Sequence, residues 1–153
     1  MLEYFEISIF NTFNIYIFMA LPIKKLREII FQVLYSQSFA LSEEGDVCKF
    51  VMSEMKVTRK TMKIVWHRVQ SVIILFKEID NILKDLSINY HIDRISLVEK
   101  NILRLFIYEI SFYNKIEPKI AIAEAIRLCR KFSTPEGANF VNAILDKLYK
   151  KIV

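Results

Sequence analysis

From Pro22 onward the chain repeats one pattern: apolar residues at intervals of three and four, divided by short polar breaks. Leu26, Ile29, Ile30, Val33 and Leu34 fall on one helical face. At about 100° per residue, Lys24, Arg27, Phe31 and Tyr35 share the opposite side. Ser42-Glu43-Glu44-Gly45 breaks this helix, and a short one is predicted from about Asp46 to Lys56. Thr58 is placed to cap a long helix over roughly 59–86, carrying Ile64, Val65, Val72, Ile73, Leu75, Phe76, Ile79 and Leu83. Ser87-Ile88-Asn89-Tyr90-His91 reads as a turn.

Residues 93–113 are the most apolar stretch of this part, and a helix with so little polar face is expected at the centre of the fold. Pro118 suits the first turn of the next helix, which aligns Ile122, Ala125, Ile126 and Cys129. Lys119, Arg127, Arg130 and Lys131 give that helix basic character. Thr134 can cap the last helix, with Pro135 at its first position and Glu136 favourable to its dipole. Val141, Ile144, Leu145 and Leu148 then repeat the helical spacing. No run alternates as a strand does, so the pattern predicts an all-α chain of about six or seven helices.

Composition narrows the class. The 153 residues include 54% hydrophobic residues but only two Gly and three Pro, which excludes disordered, collagen-like and turn-rich β architectures. That length is one domain and buries a core without disulfides. Cys48 and Cys129 make no disulfide scaffold, and His67 and His91 are isolated, so no metal site is expected.

Residues 1–18, MLEYFEISIFNTFNIYIF, differ from the rest. They hold Tyr4, Phe5, Phe10, Phe13, Tyr16 and Phe18, carry Glu3 and Glu6, and have no Lys or Arg. A secretory signal needs a basic start, and a span needs about 20 apolar residues, whereas Glu3, Glu6, Asn11 and Asn14 interrupt this one. Three readings stand: a signal or anchor, a loosely docked apolar extension, or residues upstream of a true start at Met19. The last is favoured, giving a single helical domain over 19–153.

The net charge is +5, and residues 23–153 hold all 22 Lys and Arg against 15 acids. Such an excess suits an acidic partner such as nucleic acid. No Gly-rich phosphate loop, HExxH, CxxC or GxSxG occurs, so no enzyme is indicated. Asp80 and Asp85 are read as surface charges, Cys129 as a small core residue, and His67 beside Trp66 as packed or surface. Glu109, in the apolar helix, is read as a buried carboxylate serving backbone donors or a cation such as Arg104. The positive feature is Lys24-Lys25-Leu26-Arg27, with Tyr35 two turns beyond Arg27. Cations neutralise phosphates, and an exposed ring stacks on an unpaired base, a pairing suited to single-stranded RNA. The plainer alternative is a solvated helix start with a tyrosine at its rim.

Four blocks, in order and spacing, resemble the NusB family of transcription antitermination factors. They are Arg27–Tyr35, Val98–Ile110, Lys119–Leu128 and Phe140–Lys147, and the resemblance runs from about Lys24 to Lys147. It implies two packed three-helix bundles and a non-enzymatic, cytoplasmic role without a cofactor. Family members bind the box A element of nascent ribosomal RNA transcripts together with NusE, a ribosomal small-subunit protein. The pair joins an RNA polymerase antitermination complex, with no membrane involved. The resemblance places RNA contacts at Lys24, Lys25, Arg27, Tyr35 and Phe140, with Glu136 near that surface. It gives the NusE-facing surface to the middle helices, around 59–86 and 93–113.

Departures from the family pattern bear on RNA geometry more than on fold. Two lysines stand where the family has arginines and lose the planar fork that grips phosphate. Ala123 stands for an asparagine, and Ala143 for a glycine that allows a close backbone contact. The rivals are a domain like the one preceding a ribosomal RNA cytosine methyltransferase, and a protein-interaction module whose basic face is merely solvated.

Overall fold

The computed structural model describes residues 22–40 and 42–153, so the expectations for residues 1–18 and Met19 lie outside the described residues. Among the described residues there are seven α-helices and no strand. They are α1 Ile23–Gln37, α2 Glu44–Met55, α3 Arg59–Ile74, α4 Phe76–Leu86, α5 Leu97–Tyr108, α6 Pro118–Phe132 and α7 Pro135–Ile152. A single 3-10 turn, Ile92–Arg94, precedes α5, and a π turn, Glu109–Tyr113, continues it.

The breaks follow the local chemistry. Thr58 accepts from the Thr61 amide (3.2 Å), Ser96 from Glu99 (3.3 Å) and Thr134 from Gly137 (3.0 Å), so α3, α5 and α7 each begin on a hydroxyl cap. Pro118 and Pro135 occupy first-turn positions, where their missing amide costs nothing. Asn114 ends the π turn at φ 47°, a left-handed conformation that asparagine tolerates.

Two expectations change. The helix expected over 59–86 is two helices, divided at Leu75 with φ −98° and ψ 12°. No Pro or Gly stands at the break, and the β-branched run Val72-Ile73-Ile74 before it, itself helical, lowers helix propensity only slightly. The expected helix over 93–113 is a 3-10 turn, α5 and the π turn in succession.

α3 packs against both α1 and α2, while α5, α6 and α7 pack on one another. These are the two expected bundles. α4 lies against α5 and α7, and α1 joins the bundles by packing on α5. Ile102, Leu103, Leu105, Phe106 and Ile107 are wholly buried, which puts α5 at the centre as its sequence requires. No described helix is long and apolar enough to cross a membrane.

Candidate nucleic-acid interface

α1 presents Ile23, Lys24 and Lys25 to solvent on its first turn. Two turns of helix then disappear from view. Leu26, Ile29, Ile30, Val33 and Leu34 enter the core as expected, but so do Arg27 and Phe31 from the opposite side. The reason is a second neighbour. α6 runs alongside α1 in the same direction, and its side chains cover that face. Arg127 donates to the Lys24 carbonyl (3.1 Å), Lys131 reaches Glu28 (2.8 Å), and the Phe132 ring lies 5.0 Å from Phe31.

Arg27 is therefore corrected from a surface cation to an interior one. Its side chain is 8% exposed. Its Nε lies 3.4 and 3.3 Å from the two Glu109 oxygens, and a terminal nitrogen lies 3.6 Å from Glu124. Glu109 is the buried carboxylate expected, but its cations are Arg27 and Arg68 (3.8 Å) rather than Arg104. Arg104 instead grips Asp80 with two bonds of 2.8 and 2.7 Å, so Asp80 is a half-buried ion-pair partner and not a lone surface charge.

Glu28, Glu109 and Glu124 thus face Arg27, Arg68, Arg127 and Lys131, with the exposed Lys25 also 3.8 Å from Glu28, three carboxylates against five cations. Burial pushes the Glu109 carboxyl above its ordinary value, Arg27 and Arg68 pull against it, and Glu124 adds to the rise. At Glu28 burial also raises, but hydrogen bonds from Lys131 and Arg127 outweigh it and hold the group below its ordinary value. Arg127 is shifted upward by its bonds to Glu124 and, against burial, Glu28. Arg68 lies 3.7 Å over the Tyr113 ring, which fixes its angle toward Glu109.

Past this network the surface turns aromatic. Tyr35 is half-buried and sits edge-on to Phe39 at 5.0 Å, and Phe39 is 67% exposed. The end of α1 is tied to α5 through Ser38, which receives a bond from the buried Asn101 amide (3.0 Å). The start of α5 is tied to the start of α7 by Ser133 donating to Glu99 (2.7 Å). On the first turns of α7, Glu136 is exposed, and the half-buried Phe140 packs on Tyr90 at 5.2 Å.

The outcome is a strip that begins at Lys24, Lys25, Arg127 and Lys131 and continues through Tyr35 and Phe39. Phe140 and Tyr90 form a separate aromatic pair beyond the tie at α5. Phe39, Tyr90, Glu28 and Glu124 are the members that sequence reasoning missed. Spacing places Glu28 on the side of α1 opposite the core, beside Lys24 and Tyr35, and nothing local reveals that Arg127 and Lys131, about 100 positions later, meet it. Ala123 and Ala143 are both exposed, so neither crowds a neighbour. Cys129 is buried and its thiol is pushed up to about 12 by burial, with Glu99 adding, as fits a core residue. No group of three or more His, Cys, Asp or Glu among the described residues could hold a metal ion.

Residues 24–150 match the model of the NusB family. The chain belongs to this family. The match starts at Lys24, the first cation of the strip, and extends nearly to the end of α7. The chain is similar to a transcription antitermination protein NusB of Chlamydia pneumoniae, with 38% identity over 128 residues, 84% of this chain and 80% of the relative. It is also similar to the NusB of Desulfovibrio desulfuricans, with 36% identity over 136 residues, 82% of this chain and 83% of that one. Among solved structures it resembles a chain from a crystal structure of antitermination factors NusB and NusE in complex with double-stranded RNA. That likeness has a TM-score of 0.72 at 28% identity and covers 84% of this chain and 96% of the other.

Proposed function

We propose that this NusB family member is a non-enzymatic, cytoplasmic antitermination factor. It binds the box A element of nascent ribosomal RNA transcripts as a single strand, together with NusE, and joins the RNA polymerase antitermination complex. The observation that carries this reading is the family match over residues 24–150, and a solved NusB in complex with NusE and double-stranded RNA supports the two partner classes. The strip supports it physically. Lys24 and Lys25 meet phosphates, Tyr35 stacks on or edges a base, and Phe140 offers a second ring, with Glu136 at its border. Arg27 acts from beneath, holding α1 onto Glu109 so that the two lysines stand outward. A surface with so few cations binds RNA modestly alone, and NusE raises affinity by a second attachment.

The test is fluorescence anisotropy of the full chain against a box A-like RNA and a scrambled control, with and without NusE. Preferential binding that tightens with NusE is the expected result. Equal, weak binding to both RNAs, unmoved by NusE, would reject the reading and favour a protein-interaction module.

A further inference from the structure

The longest acid-free stretch of the helical part lies outside the strip. Between Met55 and Lys77 there is no Asp or Glu, while Lys56, Arg59, Lys60, Lys63, Arg68 and Lys77 occur there. Most of this stretch is α3. Arg68 turns inward to Glu109. Arg59, Lys63 and His67 are exposed, and with Trp66 and Gln70 they lie within about 100° of arc on one side of the helix.

Three features mark this face as more than solvated charge. None of Lys56, Arg59 and Lys63 has a carboxylate within ion-pair distance among the described residues, although α2, which packs on α3, carries Glu44, Asp46 and Glu54. Arg59 also sits in the first turn of α3, with no acid there, where the helix dipole disfavours a cation. Finally, the half-buried Trp66 packs its ring on the core while its indole N–H has no hydrogen-bond partner among the described residues. An indole flanked by unneutralised cations on one helix face is complementary to a phosphate backbone with accessible bases.

We propose that this face of α3, built from Arg59, Lys63, Trp66 and His67 with Lys56 at its foot, is a second RNA-contact surface. It grips strand flanking the segment held at α1, through phosphates and one stacked base, without reading sequence. It shares with the proposed function the premise that the chain binds RNA, but it stands on different residues and fails separately.

The test uses the full chain and two labelled RNAs: a box A-like oligonucleotide, and the same element extended by about 20 uridines, long enough to span an additional site. Arg59→Ala with Lys63→Ala is expected to weaken the extended RNA about tenfold and to lower its salt slope by about 1.4, two phosphates' worth. The short RNA should bind as before, and Arg59→Lys with Lys63→Arg should restore the long one. Trp66 is the chain's one tryptophan, so its emission reports this face directly. A uridine oligomer alone should quench it, and salt should reverse the quenching. Unchanged affinity for the extended RNA in the double alanine variant, with unquenched Trp66, would overturn the proposal. So would an equal emission change with poly-glutamate, which would make the partner an acidic protein. If the wild type ignores the box A-like RNA, the proposed function fails, and the uridine titration of Trp66 still decides the α3 surface.

Discussion

The Nε of Arg27 lies 3.3 Å from one carboxylate oxygen of Glu109, 82 positions later in the chain. The pair pins the start of α1 to the π turn at the end of α5, and Arg68 of α3 completes it from the other side. The last cation of the Lys24-Lys25-Leu26-Arg27 run thus serves as the anchor that aims its neighbours outward.

Removing that anchor is expected to cost stability directly. Arg27→Ala leaves Glu109 buried with its nearer cation gone, a loss of about 3 kcal/mol at neutral pH. Glu109 can take up a proton instead, because burial already raises its pKa, so the penalty shrinks as pH falls. Urea unfolding of Arg27→Ala against wild type at pH 7 and pH 5 measures both; an equal, small change at both values would contradict the pairing.

The carboxylates of the network are expected to impose opposite pH slopes. Glu28 is held below its ordinary value, so its contribution is present above that value and is lost as pH falls. Glu109 is held above, so the folded state keeps its proton longer and stability declines as pH rises through the raised pKa. Urea midpoints across the acid range should therefore show that Glu28→Gln removes part of the acid-side loss. Glu109→Gln should flatten the decline on the other side. Identical pH profiles in the two variants would refute the assignment.

The two lysines should behave otherwise than Arg27. Lys24→Ala with Lys25→Ala is expected to leave unfolding within about 0.5 kcal/mol of wild type. The same variant should weaken RNA binding at every sequence and lower the salt slope by about 1.4. Salt titrations of anisotropy beside urea curves make the comparison.

Tyr35 separates the stacking role from the core role. Its ring touches Phe31 within and Phe39 at the surface. Tyr35→Ala is expected to weaken box A RNA binding about tenfold, within the range of one lost base stack, with helical circular dichroism intact. Loss of helicity would assign the ring to the core instead.

Thr134 is a smaller test of how the start of α7 is set. Its hydroxyl accepts the Gly137 amide at 3.0 Å. Thr134→Ala should cost about 1 kcal/mol, read from the thermal midpoint, and Thr134→Ser should recover most of it.

Much of the fold is legible in the sequence because helix boundaries are local chemistry. Thr58, Thr134, Pro118 and Pro135 mark starts that the structure keeps, and the apolar run around Ile102–Ile107 announces the central helix. The break at Leu75 is not legible, since no Pro or Gly stands there and the apolar phase continues across it. The site is half legible. Lys24, Lys25 and Tyr35 can be read from one helix, but the burial of Arg27 and Phe31 depends on α6, a partner about 100 positions away. The same distance hides Arg127 and Lys131 from Glu28 and makes Arg104 look like the natural partner of Glu109. Neighbours in sequence suggest that pair, and packing assigns Arg104 to Asp80 instead.

RNA is expected along the strip at the exposed start and end of α1, reaching Phe140 on α7, and the most direct measurement is a two-dimensional amide NMR titration of the full chain with a short box A RNA. The largest shifts are expected at Lys24, Lys25, Tyr35, Phe39, Lys131 and Phe140, with the interior amides of α5 little moved. Shifts confined to other faces, or none at saturating RNA, would contradict it.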